Sequence, residues 1–354
     1  MFTLDIPQGD TALIRGPAVV ECLRPCKVFG GLFQRLEVPP HKQYPVEGPT
    51  TLRLESGSAT LVKGSTTPRD WDLQIGAATI ALVGPTDSGK SSLSTYLLNR
   101  YTTQGRKVCI VDADVGQSDI GPPGFVTYSC TSAPAPHIST LEPQDGYYVG
   151  STNLQGMEEL LLAGAVWSLR RAAAQYPHLI IINTPGWTTG RGLQLLKALI
   201  DATDATPINI GEAAIPGLTV SKSPYVLPRG PAERKELRNY AYRRFLKTTT
   251  KTQAEPERLA LCRWEGGLEC PWGRYVPADV DKPEKKGREY AVPPHYLRHL
   301  FAALYKEGRL VGYGVVEKFE PKISMYVTTT EFDEVRIGKI RIDPNNLQEL
   351  EPLP

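Results

Sequence analysis

The chain has 354 residues, 41% of them hydrophobic and 22% charged, with a formal net charge of +2. That length exceeds one ordinary core and leaves room for a large central domain with appendages. Near-neutrality removes any whole-chain argument for a nucleic-acid partner, so such a footprint must be local. No uncharged apolar run reaches bilayer-spanning length, so no membrane partner is expected.

The first residues, Met1 to Asp5, show no basic stretch followed by an apolar core, and a cytoplasmic location is expected. Residues 1–72 hold short alternating stretches at Ala18 to Leu23, Thr50 to Leu54 and Ser58 to Val62, separated by glycines and prolines. They predict a small antiparallel β domain. Six cysteines in a chain of this size do not predict a disulfide framework. Cys22 with Cys26, and Cys262 with Cys270, are spaced for local pairing, without a strong zinc spacing. Cys109 lies in an apolar run and reads as a small buried residue.

Between 73 and 250 the pattern becomes strand, helix, strand. Apolar strands are expected at 79–83, 107–111 and 179–182, with helices from Lys90 to about Arg100, Glu158 to Gln175 and Leu193 to Ile200. Such alternation predicts an α/β fold, a P-loop NTPase core with a mostly parallel sheet flanked by helices. Ligands then belong at the carboxyl ends of the strands. The first of these strands runs into Gly84-Pro-Thr86-Asp87-Ser88-Gly89-Lys90-Ser91-Ser92, the full GxxxxGK[ST] spacing. Its backbone N–H groups from Gly84 to Ser92 predict a cradle for nucleotide phosphates, Lys90 reaches the β- and γ-phosphates, and the Ser91 hydroxyl is placed for Mg²⁺.

The strand at 107–111 ends in Asp112-Ala-Asp114-Val-Gly-Gln117. An acid at such a strand end is where Mg²⁺ is expected, which assigns Asp112 to the metal shell. Continued extended geometry would turn Asp114 to the same side, where it suits a general base. Gln117 is read either as a nucleophile-orienting group or as a structural hydrogen-bonder. The strand at 179–182 runs into Asn183-Thr184-Pro185-Gly186-Trp187, where a switch GTPase would carry an acid and no aromatic. Trp187 is suited to stack on an acceptor base, the alternative being a core aromatic that packs this loop. No Asn-Lys-x-Asp guanine-reading segment occurs.

From Pro231 to Phe245 an arginine-rich helix is expected, with Arg234 and Arg238 one turn apart and Leu237, Tyr240 and Phe245 as a packing stripe. It reads either as a lid that brings positive charge onto a migrating phosphoryl group or as a solvated, salt-bridged helix. Arg243 and Arg244 are candidates for acceptor phosphates. Residues 251–354 are expected to form a C-terminal β-rich domain, with a linker over Asp279 to Arg288, a short helix after 295, and strands at Leu310 to Val316 and Val335 to Ile342.

In that order, the P-loop, the Asp112-x-Asp114-x-Gly116-Gln117 strand end, the Asn183-Thr184-x-Gly186-Trp187 turn and the arginine helix resemble the polynucleotide 5'-hydroxyl-kinases related to the kinase-like subunit of the mRNA cleavage factor and to the kinase of ribosomal RNA processing. The resemblance implies ATP-dependent, Mg²⁺-dependent transfer of the γ-phosphate to the 5'-hydroxyl of RNA, with DNA as a second acceptor. It casts Lys90, Asp114, Arg234 and Arg238 as catalytic, Ser91 and Asp112 as metal-holding, and Gln117, Thr184, Gly186, Trp187, Arg243 and Arg244 as acceptor-binding. It names no protein partner. A nucleotide-binding assembly factor without kinase activity, and a nucleoside or metabolite kinase, stand as the competing expectations.

Overall fold

The computed structural model describes residues 2–76, 78–255, 258–261, 274–281, 284–286 and 289–351; Cys262 and Cys270 lie outside the described residues. The first region holds β1 (Phe2–Ile6), β2 (Thr11–Val28), β3 (Gly31–Val38), β4 (Gln43–Glu47) and β5 (Thr50–Val62). Next come β6 (Thr79–Val83), α1 (Lys90–Thr102), β7 (Val108–Asp112), β8 (Phe125–Thr131), β9 (Asp145–Tyr148), α2 (Glu158–Ala173), β10 (Leu179–Asn183), α3 (Gly190–Thr203), β11 (Thr206–Ile210), β12 (Leu218–Val220) and α4 (Pro231–Phe245). The remainder is β13 (Thr250–Ala254), β14 (Leu259–Leu261), β15 (Arg274–Pro277), β16 (Glu284–Lys286), β17 (Glu289–Val292), β18 (Leu300–Lys306), β19 (Arg309–Phe319), β20 (Ile323–Val327) and β21 (Glu334–Arg341).

The chain divides into two compact units, Met1–Asp114 with Tyr128–Gln144 and Ala165–Leu237, and Val115–Thr127 with Asp145–Gly164 and Arg238–Pro354. In the first, β1-β5-β2-β3 form an antiparallel sheet with β4 added to β2. Alternate residues such as Ile14, Val20, Leu36, Tyr44 and Leu52 close its core. Thr50 to Leu54 and Ser58 to Val62 belong to one strand, β5, which passes through the glycine at 57 that reads in sequence as a break. Cys22 and Cys26 form a disulfide inside β2, where its register against β3 shifts between Glu21 and Cys26. Cys109 is buried as its apolar run suggests, yet it is bonded to Cys130 of β8. The expectation that the six cysteines form no disulfide framework is corrected by these two bonds.

The sheet behind the P-loop carries the order β12-β11-β6-β10-β7-β8. The pairs β12–β11, β11–β6, β6–β10 and β10–β7 are parallel, whereas the sheets of the other regions are antiparallel or mixed. β10 forms because Leu179-Ile-Ile-Ile is a branched run that is buried along its whole length. α2 carries Glu158 and Glu159 in its first turn and Arg170 and Arg171 in its last, matching the helix dipole at both ends. Asn99 of α1 ties the N-terminal sheet to this core, its amide donating to Phe29 O at 3.1 Å and to Ala135 O at 2.9 Å.

In the second unit, a sheet ordered β13-β20-β19-β18-β21-β14 is buried on both faces around β18. Leu300, Ala302 and Leu304 join Val316, Met325 and Ile337 on one face. Phe301, Ala303 and Tyr305 join Tyr148, Tyr242 and Tyr313 on the other. Tyr242 and Asn239 are the buried residues of α4, so the core-facing stripe expected at Leu237 and Tyr240 falls on different positions, although Phe245 does pack against the same cluster. The segment read as a linker contains β16, and the short helix after 295 is a 3-10 turn over Pro294–Leu297. Among the described residues no helix is long and apolar enough to cross a membrane.

Candidate active site

β6 ends at Val83 and hands the chain to the loop that precedes α1. A Cβ on Gly84 would meet the Ser88 Oγ at 2.6 Å, so the turn needs glycine there. Gly89 sits at φ 102 as the N-cap of α1, and no side chain caps the helix. The first-turn N–H groups, including those of Lys90, Ser91 and Ser92, therefore remain donors for an anion. Ser88 Oγ is buried inside the loop with no hydrogen-bond partner among the described residues. Lys90 is only 6% exposed, and its Nζ donates to Gly84 O at 2.8 Å and Pro85 O at 3.0 Å. Burial lowers the pKa of this ammonium, while the charges of Asp114, Asp87 and Asp112 oppose that effect.

Asp112 is the last residue of β7 and is fully buried, in register with Asn183 at the end of β10. Asn183 Nδ2 donates to Asp112 Oδ1 at 3.0 Å, and the Asp114 backbone N–H reaches the same oxygen at 3.4 Å. This side-chain turn replaces the continued extension expected from Asp112 to Asp114. Asp114 still faces the loop lysine electrostatically, as the largest of the three carboxylate influences on Lys90. Asn183 Oδ1 is buried without a partner among the described residues. Hard oxygen donors of this kind suit magnesium. Among the described residues no three His, Cys, Asp or Glu side chains gather to hold a metal alone, so an ion here would also need phosphate oxygens.

The turn after β10 is pinned to the loop. Thr184 is fully buried and donates its hydroxyl to Leu82 O at 2.7 Å, so it anchors the turn through β6. A Cβ on Gly186 would meet Thr86 Oγ1 at 2.5 Å and the Thr86 backbone N at 2.7 Å, so the turn and the P-loop touch backbone to backbone. Trp187 is partly exposed at the head of α3, where the missing Cβ of Gly192 makes room for its ring.

Arg234 Nη2 lies 2.9 Å from Asp87 Oδ2 in the P-loop. Arg229, three residues beyond the partly buried Val226, was not singled out in the sequence, yet its backbone N–H donates to the same oxygen at 3.0 Å and its Nη1 lies 3.5 Å from Asp87 Oδ1. In sequence it is one of the basic residues of 229–251, but it precedes the helix and lies outside the one-turn spacing that exposes Arg234 and Arg238. The remaining expected residues belong to the second unit. Arg238 Nε bonds to Glu349 Oε2 at 2.6 Å, and Gln117 Nε2 donates to Gly116 O at 2.6 Å. Arg243 is exposed and Arg244 lies 4.9 Å from the centre of the Phe245 ring. Although one turn apart, Arg234 and Arg238 thus serve different carboxylates.

Residues 84–248 match the family described as mRNA cleavage and polyadenylation factor CLP1 P-loop. A polyribonucleotide 5'-hydroxyl-kinase of Pyrococcus horikoshii is 30% identical over 185 residues, 49% of this chain and about half (50%) of that protein's length. A polyribonucleotide 5'-hydroxyl-kinase of Thermococcus kodakarensis is 26% identical over 310 residues, covering 75% of this chain and 88% of that protein. A CLP1 homologue of Arabidopsis thaliana is 34% identical over 144 residues, 36% of this chain and 31% of that protein. A chain of the solved Clp1p–Pcf11p complex superposes with a TM-score of 0.72 over 96% of this chain and 97% of that one, at 12% identity, which speaks for the fold alone. Residues 84–248, from the P-loop to the arginine-rich helix, are thus similar to the CLP1 P-loop family, and the chain is similar to two polyribonucleotide 5'-hydroxyl-kinases.

Proposed function

We propose that the chain is an ATP-dependent polynucleotide 5'-hydroxyl-kinase that transfers the γ-phosphate to the 5'-hydroxyl of RNA, with DNA as a second acceptor. The observation that carries this reading is the P-loop with its buried Lys90 beside a strand end that offers two carboxylates, Asp112 and Asp114. A nucleotide-binding site needs the lysine and one metal acid; a second strand-end carboxylate supplies what transfer to a hydroxyl needs in addition.

In this reading the loop amides from Gly84 to Ser92 hold the phosphates and Lys90 leaves its loop carbonyls for phosphoryl oxygens. Ser91 and Asp112 would hold magnesium, which supplies charge neutralisation on the β- and γ-phosphate oxygens. Asp114 accepts the proton of the attacking 5'-hydroxyl, and Trp187 stacks on the terminal base beside it. Arg229 and Arg234 balance charge on the phosphoryl group in transit. Arg238, Gln117, Arg243 and Arg244 stay assigned to the lid and the acceptor strand. The core sheet is read as mostly parallel overall, with regions at 1–72, 73–250 and 251–354, and the setting as cytoplasmic.

One observation favours the assembly-factor reading: Lys90 is turned onto its own loop, at Gly84 O and Pro85 O. An acceptor panel separates the readings. With γ-labelled ATP and Mg²⁺, the kinase labels 5'-hydroxyl oligoribonucleotides in preference to free nucleosides. Label on nucleosides alone would point to a metabolite kinase, and nucleotide binding with no labelled acceptor to the assembly factor.

A further inference from the structure

Asp87 stands inside the P-loop itself, at φ 57. Left-handed backbone is uncommon outside glycine, and Asp and Asn are the side chains that tolerate it best. A carboxylate at the mouth of a triphosphate site repels the ligand, and the low dielectric of a loop this closed enlarges that cost. The Asp87 side chain is only 11% exposed. Its oxygens are engaged by three donors, the Arg229 N–H at 3.0 Å, Arg229 Nη1 at 3.5 Å and Arg234 Nη2 at 2.9 Å. It is not serving as a dipole acid for α1, whose first turn contains none.

The two guanidiniums are only partly satisfied by this arrangement. Arg229 Nε and Arg234 Nε are both buried and have no hydrogen-bond partner among the described residues. Buried N–H donors of a charged group are costly to leave unpaired. Two arginines against one carboxylate also leave a net positive charge next to the loop that cradles phosphate. An anion with several acceptor oxygens entering beside Asp87 would supply those donors with partners.

We propose that Asp87 is a positioning residue for phosphoryl transfer: it gathers Arg229 and Arg234 at the P-loop before nucleotide binds, and the same arginines exchange part of their bonding to the phosphoryl oxygens afterwards. This rests on the kinase reading above. Asp87 weakens ground-state nucleotide binding through its charge and raises the transfer rate through the placement of the arginines. Affinity and turnover therefore respond in opposite directions when the charge is removed, which a simple structural staple would not produce.

Asp87→Asn is the informative variant, because Asn accepts the left-handed backbone and keeps an oxygen for the Arg229 N–H. Calorimetric titration with ADP and with ATP is expected to show affinity raised roughly threefold or more by loss of the repelling charge. Turnover on a 5'-hydroxyl oligoribonucleotide is expected to fall by about tenfold or more as the arginines lose their seat. Asp87→Glu, which restores the charge, is expected to recover part of that turnover. If affinity and turnover fall together, or turnover is unchanged while the wild type transfers phosphate, the inference about Asp87 is overturned and the kinase reading stands. If the wild type transfers phosphate to no oligonucleotide, the kinase reading itself falls, and the proposal falls with it.

Discussion

Lys90 is the residue at which stability and function pull hardest against each other. Its ammonium is buried, and burial lowers its pKa from the ordinary 10.5 despite the opposing charges of Asp114, Asp87 and Asp112. Between the folded value and 10.5 the unfolded chain binds the extra proton, so the contribution of this group to stability increases as pH rises through that window. Lys90→Met removes the titration while keeping much of the volume. The unfolding free energy of the wild type minus that of the variant, from urea titrations at constant ionic strength, is therefore expected to grow as pH rises toward 10.5. A flat difference would mean that the lysine is not desolvated. At this scale the sequence revealed every P-loop residue, because the spacing dictates their chemistry. It did not reveal that Asn183 holds Asp112, since a cross-strand partner depends on register, nor that Arg229 shares Asp87 with Arg234, since that contact joins residues far apart in the chain.

At the scale of elements, α3 begins where the turn after β10 presents Trp187. Gly192 lies in the first turn of that helix, and an added Cβ would overlap the Trp187 ring and carbonyl. Helix propensity alone would favour alanine there by about 1 kcal/mol, but a backbone–ring overlap of this kind outweighs that gain. Gly192→Ala is expected to displace Trp187 and to raise the KM for a 5'-hydroxyl oligonucleotide severalfold while leaving the KM for ATP nearly unchanged. Equal rises in both would assign Trp187 to holding the turn together and not to the acceptor. The apolar strands β6, β7 and β10 were legible because a buried parallel strand is a continuous branched run. The full length of β5 was not, since a glycine within a strand looks locally like a turn. The Cys22–Cys26 disulfide was legible as a local pair from its spacing, whereas the Cys109–Cys130 disulfide was not, because it depends on how two separate strands are placed.

At the scale of the whole molecule, the chain divides into two compact units. In the second, Phe301 is fully buried among Tyr242 at 5.2 Å, Phe125 at 6.0 Å, Tyr313 at 6.1 Å and Tyr148 at 6.2 Å between ring centres. Phe301→Ala is expected to cost about 3–5 kcal/mol of that unit's stability, read from the midpoint of its unfolding transition; a loss well under 1 kcal/mol would show that the cluster closes over the cavity. The α/β character was readable from the alternation of runs, whereas the two-faced burial of β18 was not, because Leu300-Phe-Ala-Ala-Leu-Tyr lacks the β-branched residues that separate a buried strand from a buried helix segment. The claim on which the rest depends is transfer through Asp114. The most direct measurement is a single-turnover reaction with γ-labelled ATP and a 5'-hydroxyl oligoribonucleotide, run in parallel for wild type and Asp114→Asn, with ATP binding measured on both. The expected result is label on the 5' nucleotide with the wild type, a loss of roughly 100-fold or more with the variant, and ATP affinity within a few-fold of each other. Near-full transfer by Asp114→Asn, or no transfer by the wild type, would contradict the account.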